Sequence, residues 1–433
     1  MKHLATRLAQ NPLVQNAAAL YGVQLVRKVL PLIIVPYLAR TLGASGWGVV
    51  AFTLSMAELM VLLIEFGFNL SATREVARAR DSGEECGAIM SGVLGAQVLL
   101  ASAGVLCAIA VSRFIPLLRD QPKLLAAGLF YAIAQGFIPL WFFQGLERMR
   151  LAAAIEACGR IAGLVCIFLF VRSPQDAWLA LLLQGAAPAF TTLAGLTMAY
   201  RQSPWGLPSW WMVRDALRRG WTLFVFRGGE ILYGAGSAFI LGLFAAPAQV
   251  GYFASAEKIS RAIFGLLNPI RDALYPRLAH VAHRSPEEAA PLARAGMALM
   301  ISGGLVLGGS VFLLAPFLIH LLVGADFGPA VIVLRILSLL PPLLAITHSV
   351  GLQWLLPLGR DAEVNRVVLT TGAFNLVLAV LLAPHFAHEG MAWAVVCSEA
   401  LACASLVILT VRSMSRLRPI RFTEPAVSQT FET

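Results

Sequence analysis

The chain of 433 residues is 58% hydrophobic and only 13% charged, with a mean hydropathy of +0.77. A soluble domain carries about 25% charged residues, so that class is excluded and an all-α polytopic membrane protein is expected. The net charge of +10 does not point to nucleic acid, because Lys and Arg fall mainly in short segments between apolar runs.

Apolar windows of about 20 residues, the length a bilayer core requires, lie near 15–40, 46–67, 86–112, 123–143, 150–172 and 176–200. A second set lies near 220–245, 250–275, 292–323, 330–357, 363–383 and 388–411. Twelve transmembrane helices are therefore expected. The first window is too long for a secretory signal and ends without a small-residue cleavage site. It carries Arg27 and Lys28 side by side. A basic residue at mid-helix costs roughly 2.5–3.5 kcal/mol on the insertion scale, so this pair is expected to face a wet cavity or a partner rather than lipid. Pro31 removes a donor and crowds the carbonyl of Arg27; with Pro36 it forms the expected hinge.

The second window carries Glu58 and Glu65, and the fifth carries Glu156 and Arg160 at i,i+4, which reads as a structural pair. The seventh carries Arg227 and Glu230 and is softened by Gly228, Gly229, Gly234 and Gly236. The eighth carries Glu257, Lys258 and Arg261, with Glu257 and Arg261 at i,i+4. Arg335 and Glu399 lie further on, and their spacing assigns them no role. Guanidinium offers a planar fork to phosphate oxygens and ammonium offers a point charge. Arg27, Lys28, Arg227, Lys258 and Arg261 are thus the candidate ligands of an anionic substrate, with Glu58, Glu230 and Glu257 balancing charge or coupling to an ion.

The six cysteines (Cys86, Cys107, Cys158, Cys166, Cys397 and Cys403) form no CxxC pair and no Cys/His cluster, so neither a metal site nor a disulfide is expected. No phosphate-binding loop of the form GxxxxGK[ST] is present. No cofactor and no catalytic residues are expected. Between the windows, about 20 Lys and Arg fall in the N-terminus, the even-numbered loops and the C-terminal tail, against about 5 in the odd-numbered loops. The positive-inside rule then places both termini in the cytoplasm.

Sliding the chain by 203 positions sets Gly48 on Gly251, Ala51 on Ala254, Leu38 on Leu241 and Arg74 on Arg277. Two pseudo-symmetric six-helix bundles follow, 1–200 and 220–411, joined by a cytoplasmic linker loop, 201–219, and followed by a tail, 412–433. Six passages separate equivalent helices, so the pseudo-twofold axis runs along the membrane normal. The substrate site is expected near the midplane, where helices 1 and 2 face helices 7 and 8.

The stretches PYLARTLGASGWGVVAF (36–52), EFGFNLSATREVAR (65–78), WFFQGLERMR (141–150), VGYFASAEKISRAIFGLLNPIRDALYPRLA (250–279) and FGPAVIVLRILS (327–338) carry a family resemblance. With them the chain resembles a bacterial polysaccharide flippase of the O-antigen and exopolysaccharide type, within the multidrug, oligosaccharidyl-lipid and polysaccharide exporter superfamily. The resemblance implies two bundles that open alternately to the two sides of the bacterial inner membrane. It implies carriage of an undecaprenyl-diphosphate-linked oligosaccharide to the periplasmic leaflet, with a polyprenyl-diphosphate-linked glycan and the lipid bilayer as partners. A proton or sodium ion, a polysaccharide polymerase and a chain-length regulator are further partners to test. The alternative is a multidrug cation antiporter of the same superfamily, for which an acidic rather than a basic cavity is expected. The peptidoglycan-precursor flippase of that superfamily has helices beyond twelve. A polymerase or ligase needs a large periplasmic loop, and no segment between windows is long enough to supply one.

Overall fold

A computed structural model describes residues 12–416, apart from 234–235, 272–273, 275–277, 279–285 and 357. Helix is the regular structure among the described residues, and the twelve expected passages are present. Helix α1 (Pro12–Glu65) makes the first two, because Gly43 breaks it at φ 69° and ψ 175°. Glycine suits that positive φ, since no Cβ opposes it. Phe66 and Gly67, both at positive φ, then turn the chain into α2 (Phe68–Arg78), which extends the second passage. Ser82 caps the third passage, α3 (Gly83–Ser112), by accepting the backbone N–H of Glu85 at 3.2 Å.

After the short α4 (Pro116–Arg119), the fourth passage is α5 (Pro122–Gly136) with α6 (Leu140–Gly145). Helices α7 (Met149–Phe170) and α8 (Ala177–Gln202) complete the first lobe. The second lobe begins with α9 (Trp210–Tyr233) and α10 (Gly236–Phe244), which share the seventh passage, followed by α11 (Pro247–Phe264). Helix α12 (Pro286–Leu322) is the ninth passage. The tenth is made by α13 (Ala330–Leu337), α14 (Leu340–Thr347) and a π-helical turn at His348–Leu355. Helix α15 (Asp361–Arg416) supplies the last two by folding back at Ala387, φ 46°.

Eight segments are long and apolar enough on their own to cross a bilayer. Two of them, Val29–Arg78 and Asp361–Arg412, cross twice. The passages absent from that set are the seventh and eighth, where the sequence concentrates Arg, Lys and Glu inside the membrane.

The stretch 201–219, expected as a linker loop, is helical from Trp210. Its apolar residues Val213, Ala216 and Leu217 pack on the first lobe, while Arg214, Asp215, Arg218 and Arg219 alternate with them in pairs. Helix α3 approaches through glycines: a Cβ on Gly95 would lie 2.7 Å from Pro208 Cγ and 2.8 Å from Val213 Cγ2. Two turns on, a Cβ on Gly220 would sit 2.5 Å from the carbonyl oxygen of Phe66, whose ring stacks on Phe224 with centroids 4.5 Å apart. The charge density that reads as a loop is the other side of an amphipathic helix.

The largest buried cluster spans both lobes, with Leu38, Trp47 and Phe52 from α1 packed with Leu241, Val250 and Phe253. Helix α1 makes its most extensive interface with α11. At that crossing a Cβ on Gly48 would come within 1.7 Å of the Pro247 carbonyl oxygen, and one on Gly251 within 2.2 Å of the Ala44 carbonyl oxygen. Ala44 and Pro247 are themselves 203 positions apart, as are Gly48 and Gly251. The pseudo-twofold axis therefore passes between these four residues. Arg277, the partner expected for Arg74, lies outside the described residues. Further contacts tie the lobes together. Arg40 donates to the Leu321 carbonyl, the Phe239 amide donates to Ser55 Oγ at 3.0 Å, and Phe52 stacks on Phe239 at 5.2 Å.

Candidate substrate cavity

A cavity of about 310 Å³ opens inside the first lobe, with one residue of the second on its wall. Helical spacing selects its lining. Leu30, Pro31, Ile34 and Val35 come from α1 before the break, and Trp47, Leu54 and Glu58 from one face after it. Tyr131 and Gln135, at i,i+4, come from α5; Arg160, Gly163, Leu164 and Ile167 come from α7. Helix α8 adds Leu183, Gln184, Ala187 and Pro188, and α11 adds Lys258.

The polar groups of this lining are only partly satisfied by one another. Tyr131 donates its hydroxyl to Glu58 Oε1 at 2.7 Å. Arg160 donates Nε to Glu156 Oε1 at 2.9 Å, leaving its two Nη groups without a partner among the described residues. Gln184 Nε2 donates to the Ala180 carbonyl at 3.2 Å, so its amide oxygen is left over. Gln135 and Lys258 make no side-chain hydrogen bond or ion pair among the described residues. Buried polar groups normally find partners, so a lining with this much unused capacity is built to be wet or filled.

The expected site residues divide three ways. Glu58, Lys258 and Pro31 meet in this cavity. Glu257 and Arg261 turn to each other: Arg261 Nε and Nη2 both lie 2.9 Å from Glu257 Oε1, with the Glu257 side chain 11% exposed and that of Arg261 43%. Arg261 is therefore not an unpaired cation, and its i,i+4 spacing from Glu257 was the signal for that. The side chains of Arg27, Lys28, Arg227 and Glu230 lie outside the described residues. The expected hinge prolines, Pro31 and Pro36, sit within α1 without interrupting it; its one non-helical residue is Gly43.

Four residues of the cavity carry no charge pattern that marks them in the sequence, or were read otherwise. Tyr131, Gln135 and Gln184 are neutral residues in apolar windows, and Arg160 reads as half of a structural pair. It is that and a wall of the cavity as well. The signal available was the i,i+4 placement of Tyr131 and Gln135 on one face of the fourth passage.

A larger cleft of about 410 Å³ lies where α2, α3 and α9 meet. Three of its charges are joined, since Arg219 binds Glu75 and, at 2.7 Å, Asp215, while Arg78 and Glu85 stand on its rim. It is lined by the short α2 and by the first turns of α3 and α9, and its cation Arg78 lies on the exposed face of α2, not inside a lobe. Among the described residues no group of three or more His, Cys, Asp or Glu could hold a metal ion. All six cysteines are free thiols.

Residues 13–282 match the family model for polysaccharide biosynthesis protein. Over 407 residues the chain is 28% identical to a putative O-antigen transporter of Escherichia coli (strain K12), covering 92% of this chain and 96% of that one. Among solved structures it resembles the lipid II flippase MurJ in an inward closed conformation, with a TM-score of 0.71 at 12% identity, covering 92% of this chain and 87% of that one. It also resembles an inward-facing multidrug resistance MATE family transporter of the MOP superfamily, with a TM-score of 0.60 at 14% identity, covering 90% of this chain and 98% of that one. These two likenesses show the fold.

Proposed function

Because the chain belongs to the polysaccharide biosynthesis protein family, we propose that it flips an undecaprenyl-diphosphate-linked oligosaccharide from the cytoplasmic to the periplasmic leaflet for surface polysaccharide assembly. The observation that carries this reading is the cavity in which Lys258 and Arg160 share one lining with Glu58. Cations suit a diphosphate, and hydrogen-bonding side chains suit glycan hydroxyls. Arg27, Lys28 and Arg227 extend the positive field along the route, and Arg261, held by Glu257, adds guanidinium donors without net charge. Glu58, Glu230 and Glu257 moderate it, so that the head group binds without being trapped.

The polyprenyl chain stays in lipid throughout, since moving it through water would cost about 0.8 kcal/mol per CH₂. The halves 1–200 and 220–411 rock about the α1–α11 crossing, with Pro31 and Pro36 giving way in α1, and present the head group to the other side. Both termini and the tail 412–433 lie in the cytoplasm, and the protein works in the inner membrane without catalysing a reaction. A membrane potential negative inside favours outward movement of an anion by roughly 2.3 kcal/mol per charge per 100 mV. A proton or sodium ion carried on Glu58 or Glu230 would add to that. A polymerase and a chain-length regulator would take the product.

A strain deleted for its own O-antigen flippase should regain surface polysaccharide when it expresses this chain. Proteoliposomes should also move a fluorescent polyprenyl-diphosphate oligosaccharide between leaflets. A protein that is inserted and folded, yet restores no glycan and moves no lipid, sinks the reading. Transport that persists when both ion gradients are collapsed excludes coupling.

A further inference from the structure

The inner cavity offers two kinds of chemistry on one lining. Lys258 and Arg160 are cationic, and their unused donors suit phosphate oxygens. Glu58, Gln135 and Gln184 do not fit that role, for a carboxylate repels an anion and two amides add no charge. They fit hydroxyl groups instead. Each sugar hydroxyl both donates and accepts, a carboxylate accepts, and an amide does both. Glu58 keeps acceptor capacity beyond its 2.7 Å bond from Tyr131. Gln184 keeps its amide oxygen after bonding Ala180, and Gln135 keeps its whole amide. The same cavity is lined by Leu54 and Leu183, both partly exposed, an apolar surface against which the C–H face of a sugar ring can pack. The volume, about 310 Å³, stands at the small end of the ~300–1,000 Å³ range of small-molecule pockets. It suits a single ring next to the phosphates and not a chain of them.

We infer that this cavity of the first lobe is a sugar subsite, in which Glu58, Gln135 and Gln184 bind the ring hydroxyls of the sugar attached to the diphosphate, while Lys258 and Arg160 hold the phosphates. The inference rests on the flippase reading and adds to it where sugar selectivity resides. Recognition of the sugar falls to one lobe, not to the interface between the two.

The test is binding to purified protein in nanodiscs. The probes are bare polyprenyl diphosphate and polyprenyl diphosphate carrying one glucose, galactose, N-acetylglucosamine, N-acetylgalactosamine or 6-deoxyhexose. At least one glycosylated probe should bind about tenfold tighter than the bare lipid, as two or three neutral hydrogen bonds of ~0.5–1.5 kcal/mol each allow. Gln135→Leu and Gln184→Leu should each remove about 2- to 10-fold of that preference and leave the affinity for bare polyprenyl diphosphate unchanged. Lys258→Ala should weaken all probes alike. If every probe binds as the bare lipid does, the subsite is overturned and the flippase reading stands. If the glutamine variants lose bare and glycosylated lipid in parallel, these residues are scaffolding and the subsite is again overturned. If the wild type binds none of the probes, the flippase reading fails and takes the subsite with it.

Discussion

Gly48 and Gly251 occupy equivalent positions in the two halves of the chain and each lies against the backbone opposite the other. A Cβ on the first would stand 1.7 Å from the carbonyl oxygen of Pro247, and on the second 2.2 Å from that of Ala44. Contacts under 3 Å to backbone cannot be relieved by a rotamer change, so α1 and α11 would have to separate.

Gly48→Ala and Gly251→Ala should therefore each destabilise the fold by about 1–3 kcal/mol, the usual range for overpacking. The double variant should fall short of the sum, because the first Cβ opens room for the second. Thermal unfolding in detergent measures both. Full additivity would show that the two glycines do not share one crossing.

Arg160→Ala leaves Glu156, whose side chain is 2% exposed, without its 2.9 Å ion pair. The Arg160 side chain is 28% exposed, so losing this charged hydrogen bond should cost about 1.5–3 kcal/mol. Replacing both, as Glu156→Gln with Arg160→Gln, should recover most of that stability but not glycan transport, because the cavity has lost a cation. Unfolding and complementation read on the same variants separate the two effects.

Lys258→Ala removes an unpaired cation and should abolish surface polysaccharide with little change in protein level. Arg261→Ala should lower the amount of folded protein as well, since it strands the Glu257 carboxylate, and Glu257→Gln should rescue that loss. Lys258→Arg should retain part of the activity. Wild-type transport by Lys258→Ala would remove this residue from the site.

Tyr131→Phe deletes the hydroxyl that Glu58 accepts at 2.7 Å. A hydrogen bond to a charged group contributes about 1.5–3 kcal/mol, so transport should fall by tenfold or more if Glu58 must be held in place. Glu58→Gln, which keeps an acceptor for Tyr131, should be milder. Loss in Glu58→Gln with wild-type transport in Tyr131→Phe would show that the charge of Glu58 matters, and not its orientation.

Much of this architecture is legible in the sequence because hydropathy and a length near 20 residues suffice to mark a passage. The 203-residue offset went further and named the residues that cross at the axis. It could not show that α9 begins at Trp210, where Arg214, Arg218 and Arg219 give the composition of a loop to what is an amphipathic helix. The site was less legible. Charge drew attention to the interface of the lobes, yet Arg261 is paired within its own helix. Gln135, Gln184 and Tyr131, with no charge to stand out against apolar neighbours, supply the cavity's polar wall. Neutral side chains acquire meaning in a membrane only when the helices around them are known.

Helix α9 carries a consequence for anyone dividing this chain. Its first half is clamped on α3 and on the turn at Phe66, and the helix runs unbroken from there to Tyr233. The segment 203–209, between α8 and α9, is thus not a natural place to cut. Two fragments split there would strip one of them of the surface on which the other's leading helix docks, and each would expose apolar residues to solvent.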